Sequence, residues 1–199
     1  MAHTHHHQAP NYNRAFAIGV SLNIVFVAIE ATYGVLTDSL ALVADAGHNL
    51  SDVLSLVLAW GANVLATRKP TPRRSYGFRR ATILASLLSG ILLLMALGAI
   101  AWEAIGRLDA PRPVSGVTII VVAGIGVPIN AATALLFLSG RKHDLNIRGA
   151  YLHMAADAGV SLGVVVAGMA ILATGWLWLD PTISLCITVI ILISTWGLL

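Results

Sequence analysis

The chain has 199 residues, 57% of them hydrophobic and 11% charged, with a net charge of +3 and a mean hydropathy of +0.83. A soluble domain carries about twice that charged fraction, so the composition excludes a water-soluble fold and points to an all-α protein crossing a membrane several times. The lone Cys186 excludes an intramolecular disulfide and a cysteine-rich metal site, and within its apolar run it is expected to be a small buried hydrophobe.

Residues 1–14 read as a polar, cytoplasmic tail containing His3, His5, His6 and His7. It lacks the basic start, short apolar core and cleavage site of a signal peptide. The histidines could gather cytoplasmic metal, or be a tag remnant or a chance cluster. Residues 15–199 then form a six-helix transmembrane domain, with apolar segments at 15–36, 39–66, 81–107, 115–139, 147–174 and 178–199. Each reaches the roughly 20 residues needed to span the bilayer. The breaks are polar or contain prolines: "TDS", "TRKPTPRRSYGFRR", "LDAPRPVSG", "SGRKHDLN" and "TGWLWLDP".

Basic residues orient these spans. Arg14, six residues between 67 and 80, Arg141, Lys142 and Arg148 fall on one side, whereas Arg107 and Arg112 fall on the other. By the positive-inside rule both termini are expected in the cytoplasm, in a multi-pass protein of the inner membrane. The interleaved "RRSYGFRR" is read as a topology signal and a contact for lipid headgroups, not a nucleic-acid surface.

The stretch "LVADAGHNLSD" (42–52) places Asp45, His48 and Asp52 on one helical face inside an apolar span. A second pair with the same i, i+4 spacing, His153 and Asp157, follows in "LHMAADAGVS". Each charged residue at mid-membrane costs about 2.5–3.5 kcal/mol on insertion scales, and such residues are usually functional. Two imidazoles and two carboxylates make a tetrahedral N/O set suited to Zn²⁺, with Cd²⁺, Co²⁺, Ni²⁺, Mn²⁺ or Fe²⁺ as related candidates. A single HxxxD could equally be a polar clamp between helices; the repetition argues for metal.

The two pairs lie at different depths, about sixteen and eight residues from the cytoplasmic ends of their spans. That is a mismatch of about 12 Å, so span two must tilt or project. Gly159 and Gly163 are expected to let spans two and five approach closely. Elsewhere in the spans, Glu30 shares a face with Asn23 and is a candidate for proton or cation passage. Asp45 is a candidate secondary or release-path carboxylate, Asn130 can bind helices together, and Glu103 is expected to snorkel.

These motifs resemble the cation diffusion facilitator family, of the bacterial cobalt–zinc–cadmium and zinc-transporter type. The matching text is "SLNIVFVAIEATYGVLTDSLALVADAGHNLSDVLSL", "RRSYGFRRATILASLL", "NIRGAYLHMAADAGVSLGVVVAG" and "LDPTISL". The resemblance implies the family's six-helix fold, a homodimer, metal/proton exchange, and a transport site at His48, Asp52, His153 and Asp157. Two departures stand out. "YGFRRATIL" lacks the histidines many relatives carry in this loop, and the family's cytoplasmic ferredoxin-like C-terminal domain is not expected in these residues.

The expected activity is efflux of divalent metal, foremost Zn²⁺, from the cytoplasm in exchange for protons. Zn²⁺ is then the transported substrate, with no organic cofactor. A membrane-embedded zinc enzyme should keep an open coordination position and a separate general base. A channel should use several weaker sites. Both are alternatives that a closed four-ligand site disfavours.

Overall fold

A computed structural model describes residues 12–66, 79–138 and 145–196. The tail histidines, Arg141, Lys142 and nearly all of the basic 67–80 loop lie outside these residues. Those described form six helices: α1 (Tyr12–Leu36), α2 (Leu40–Ala66), α3 (Arg79–Asp109), α4 (Gly116–Phe137), α5 (Leu145–Thr174) and α6 (Leu179–Trp196). Their order follows the apolar segments in the sequence, and the breaks within 67–78 and 139–144 lie outside the described residues. By length and composition, four contain stretches able to cross a membrane: Ala17–Leu36, Gly90–Asp109, Gly116–Phe137 and Tyr151–Thr174. In α6 the apolar run is shorter, Leu179–Ile193.

The bundle's surface is apolar. Trp102, Leu36, Ile193 and Val35 are among many large hydrophobic residues that point outward. Its interior holds Glu30, Asp45, His48, Asn49, Asn130, Asp157, Ser161 and Asp180, all buried. This arrangement, apolar outside and polar within, suits a hydrocarbon solvent, where polar groups must find partners inside the protein. An apolar core from α2 to α6 fills one part of the bundle, with Leu42, Leu97, Ile119, Val164, Ile187 and Ile191 among its members.

Helix ends are tied together at one end of the bundle. Helix α1 is closed off just past Leu36 by Asp38, whose φ of 57° is left-handed; there Ser39 N–H donates to the Gly34 carbonyl at 3.0 Å. A residue in this conformation is a common way to end a helix, and Asp adopts it more readily than most. Ser39 then caps α2, its Oγ accepting from Leu42 N–H at 3.3 Å. Asp180 of α6 completes that cap from another helix. It accepts from Ser39 Oγ at 2.6 Å, Leu40 N–H at 2.9 Å and Ala41 N–H at 3.2 Å. An anion at a helix N-terminus is favourable, and this contact fixes the start of α2 against α6.

Asp38 carries a second tie. Its carboxylate takes Arg107 at 2.7 Å and Arg112 at 3.3 Å. Glu103 in turn pairs with Arg107 at 2.9 Å and Arg112 at 3.4 Å. The Arg107 guanidinium beside Asp38, with help from Arg112, holds its carboxyl below the usual carboxylate range. Glu103 thus belongs to a four-residue ion-pair network instead of simply snorkelling.

Two expectations about small residues are corrected. Gly159 and Gly163 are exposed, and a Cβ added at either would meet nothing within 4 Å. The close crossing lies instead between α4 and α5: a Cβ on Gly116 would fall 2.8 Å from the Gly168 carbonyl oxygen. Gly126 is equally confined, since a Cβ there would collide with the Phe26 ring of α1. The GxxxG spacing places two glycines on one face but does not say which face is buried. Cys186, too, is exposed and not buried; on an apolar exterior a small apolar thiol faces outward at little cost.

Candidate metal centre

Helices α2 and α5 run in opposite directions where they meet. Asp45 faces Ser161, His48 faces Asp157, and Asp52 faces His153. One side steps forward along the chain as the other steps back. The i, i+4 spacing within each helix puts both HxxxD pairs on facing stripes, and the antiparallel crossing brings the histidine of each pair opposite the aspartate of the other.

The apparent depth mismatch disappears through helix length. Among the described residues, fourteen of α2 follow Asp52, whereas eight of α5 precede its partner His153. Among the described residues α2 therefore extends past α5 by about six residues, or about 9 Å. Projection of the second helix is one of the two ways the sequence left for the pairs to meet.

All four sequence-predicted residues come together. His48 Nε2 lies 3.2 Å from Asp157 Oδ1, and His153 Nε2 lies 3.1 Å from Asp52 Oδ1. Within the pairs, His48 Nδ1 is 3.5 Å from Asp52 Oδ2, and His153 Nε2 is 3.9 Å from Asp157 Oδ2. A tetrahedral shell with bonds of about 2.0–2.1 Å needs donor-to-donor edges of about 3.3–3.4 Å; the pairwise approaches are of that size, but His48, Asp52 and Asp157 each make theirs through two different atoms, so the side chains must turn to form one shell. One ligand atom from each of His48, Asp52 and Asp157 falls within 4.8 Å of the others. His153 stands at the rim, its side chain 40% exposed against 2% for Asp157.

Several of these atoms are close without bonding. His48 Nδ1, Asp52 Oδ2 and both Asp157 oxygens are buried and have no hydrogen-bond partner. His48 Nε2 and Asp157 Oδ1 are thus near enough for an ion pair but lack hydrogen-bond geometry. Buried polar atoms without partners are costly, and a cation bound here would give several of them a partner.

Around this cluster stand polar groups from three helices. Asn23 of α1 donates to Met154 Sδ of α5 at 3.8 Å. Glu30 Oε2 accepts from Asn49 Nδ2 at 3.3 Å, and Asp45 Oδ2 accepts from Ser161 Oγ at 3.1 Å. Sequence reasoning singled out Glu30 and Asp45 but passed over Asn49 and Ser161. The signal for Ser161 was its i, i+4 spacing from Asp157; Asn49 offered only its place beside His48. Asn130 is fully buried, yet neither of its amide atoms has a partner, so it does not act as a hydrogen-bonded link between helices.

Comparison with known proteins gives a consistent answer. Residues 16–199 match the cation efflux transmembrane domain family. The zinc transporter ZitB of Escherichia coli (strain K12) is 38% identical over 207 residues, covering 100% of this chain and 66% of the relative. The cadmium, cobalt and zinc/H(+)-K(+) antiporter of Bacillus velezensis is 37% identical over 196 residues, covering 98% and 63%. The metal cation efflux system protein CzcD of Cupriavidus metallidurans is 36% identical over 197 residues, covering 99% and 62%. The chain thus spans just under two thirds of the length of these curated relatives.

Proposed function

The chain belongs to the cation efflux transmembrane domain family, a family of transporters and not enzymes, and from that premise we propose that it exports divalent metal, foremost Zn²⁺, in exchange for protons. It is a multi-pass protein of the inner membrane. In this reading all six helices cross the bilayer and both termini are cytoplasmic. The carrying observation is the meeting of His48, Asp52, His153 and Asp157 at 3.1–3.9 Å within an apolar bundle. The names of the relatives, which include zinc transporters and a cadmium, cobalt and zinc antiporter, support the substrate class.

The mechanism follows from the donor set. Metal takes neutral imidazole and ionised carboxylate, so loading the site from the cytoplasm releases protons. Facing a more acidic exterior, the same groups take protons and let the metal go. The protonated site returns inward, with helices rocking about a fixed position in the membrane. Because His153 is partly exposed while Asp157 is buried, the ion meets His153 and Asp52 first and the deeper His48 and Asp157 afterwards. Asp157 faces both imidazoles and can follow the ion inward.

Zinc uptake into liposomes holding the purified chain tests the reading. Zinc flux that accelerates with, and dissipates, an imposed pH gradient is expected. Flux without proton movement would leave a channel as the better description. A homodimer in the membrane completes the proposal, and cross-linking in native lipid checks it.

A further inference from the structure

We propose that Glu30 and Asp45 form a second ion-carrying site, a buried carboxyl–carboxylate pair that shares one exchangeable proton and stands apart from the four metal-facing side chains. The inference deepens the exchange reading, on which its role in transport rests, but the pair itself stands on geometry.

Both side chains are fully buried, Glu30 on α1 and Asp45 on α2, within side-chain hydrogen-bonding reach of each other. Each has one oxygen occupied and one vacant. Glu30 Oε2 takes the Asn49 amide and Asp45 Oδ2 takes the Ser161 hydroxyl, whereas Glu30 Oε1 and Asp45 Oδ1 have no partner. Two bare carboxylates at this range repel. A proton on one of them lets that carboxyl donate an O–H···O⁻ bond to the other. Adjacent carboxylates cut off from water hold a proton between them for this reason.

No Lys or Arg is paired with either acid among the described residues. The other titratable groups acting on Asp45 are His48 on the same helix and Asp157 on α5. Helix α4, which also packs on α1, has no ionisable side chain. Asp45 lies three positions before His48 and forms no ion pair with it within 4 Å. The proton rests mainly on Glu30, whose one donor is an amide, because Asp45 already receives a hydroxyl and lies nearer the imidazole. The occupant is therefore a proton, carried in addition to those that metal displaces from the histidine–aspartate cluster.

The test is infrared spectroscopy of the full chain in lipid, without metal, reading the C=O stretch of a protonated carboxyl group. The chain has two glutamates, Glu30 and Glu103, so ¹³C labelling of glutamate singles out the pair without any substitution. A carboxyl band that shifts on labelling, disappears in Glu30→Gln and survives in Glu103→Gln is expected. In liposomes Glu30→Gln should then move one proton fewer per zinc while calorimetry shows zinc binding within about threefold of the parent; Asp45→Asn serves if Glu30→Gln fails to fold. No band responding to the glutamate label, at any pH where the protein binds zinc, would overturn the proposal. A labelled band in a protein that moves no zinc would instead sink the exchange reading and leave the pair standing.

Discussion

Asp157 on α5 stands 3.2 Å from His48 on α2 and 3.9 Å from His153 on its own helix, so one buried carboxylate faces both imidazoles. Losing it removes an anion and a donor from the middle of the cluster. Asp157→Ala is expected to lower zinc affinity by about 100-fold or more, since even outer partners of a metal ligand are worth about 10–100-fold. Zinc flux should fall to background while the protein stays monodisperse. Isothermal calorimetry and liposome uptake measure both, and near-normal uptake would mean that the cluster is not the transport site.

Selectivity should turn on His48. Imidazole favours zinc over harder cations, and His48→Asp leaves one imidazole and three carboxylates. Zinc transport should persist while Mn²⁺, the harder ion, and Cd²⁺, a larger one that an added carboxylate can help surround, compete better. Competitive uptake of the three metals reads this directly. Unchanged selectivity would place His48 outside the ligand set.

The cap that Asp180 supplies to α2 makes a stability prediction away from the metal. Asp180→Ala leaves Ser39 Oγ and the Leu40 and Ala41 amides without their acceptor. A hydrogen bond to a charged group is worth about 1.5–3 kcal/mol, so a loss of about 2 kcal/mol or more is expected, with Asp180→Asn losing less. Thermal unfolding in detergent gives the comparison. Equal midpoints for the parent and the alanine variant would count against the cap.

Acid should loosen the same end of the bundle. Asp38 is held below the ordinary carboxylate range by Arg107 first and Arg112 second. A depressed folded-state value means that the stabilisation is complete above the unfolded carboxylate range, about 3.9. It is lost as pH falls through the lower folded value. Thermal midpoints should therefore be flat with pH above that range and drop below it. In Asp38→Asn, which keeps a residue tolerant of the left-handed backbone, this part of the drop should vanish. An acid profile identical in parent and variant would rule the network out as its source.

Glycine substitutions separate the real helix crossing from the apparent one. Gly116→Val must displace the Gly168 carbonyl or the Leu172 side chain and should lower the thermal midpoint markedly. Gly159→Ala meets open space and should be neutral, or stabilising by up to about 1 kcal/mol from helix propensity. The reverse order would indicate that α5 packs through its GxxxG face.

Much of this protein is legible along the chain because helices in lipid are built from local rules. An apolar run of about 20 residues satisfies its own backbone, so the order of the helices among the described residues follows from hydropathy. The 3.6-residue period alone puts His48 with Asp52 and His153 with Asp157. Which faces meet is different, because it depends on atoms far apart in sequence. The antiparallel register that sets Asp45 against Ser161, the level meeting of the two pairs, the exposure of Gly159 and Gly163, and the reach of Asp180 across to Ser39 are all long-range packing outcomes. Periodicity assigns residues to a stripe, but only the fit of one helix surface against another decides which stripe is buried. For that reason the four ligand candidates could be named from sequence, whereas the pairing of Glu30 with Asp45, on different helices and separated by a turn, emerged only from the tertiary structure.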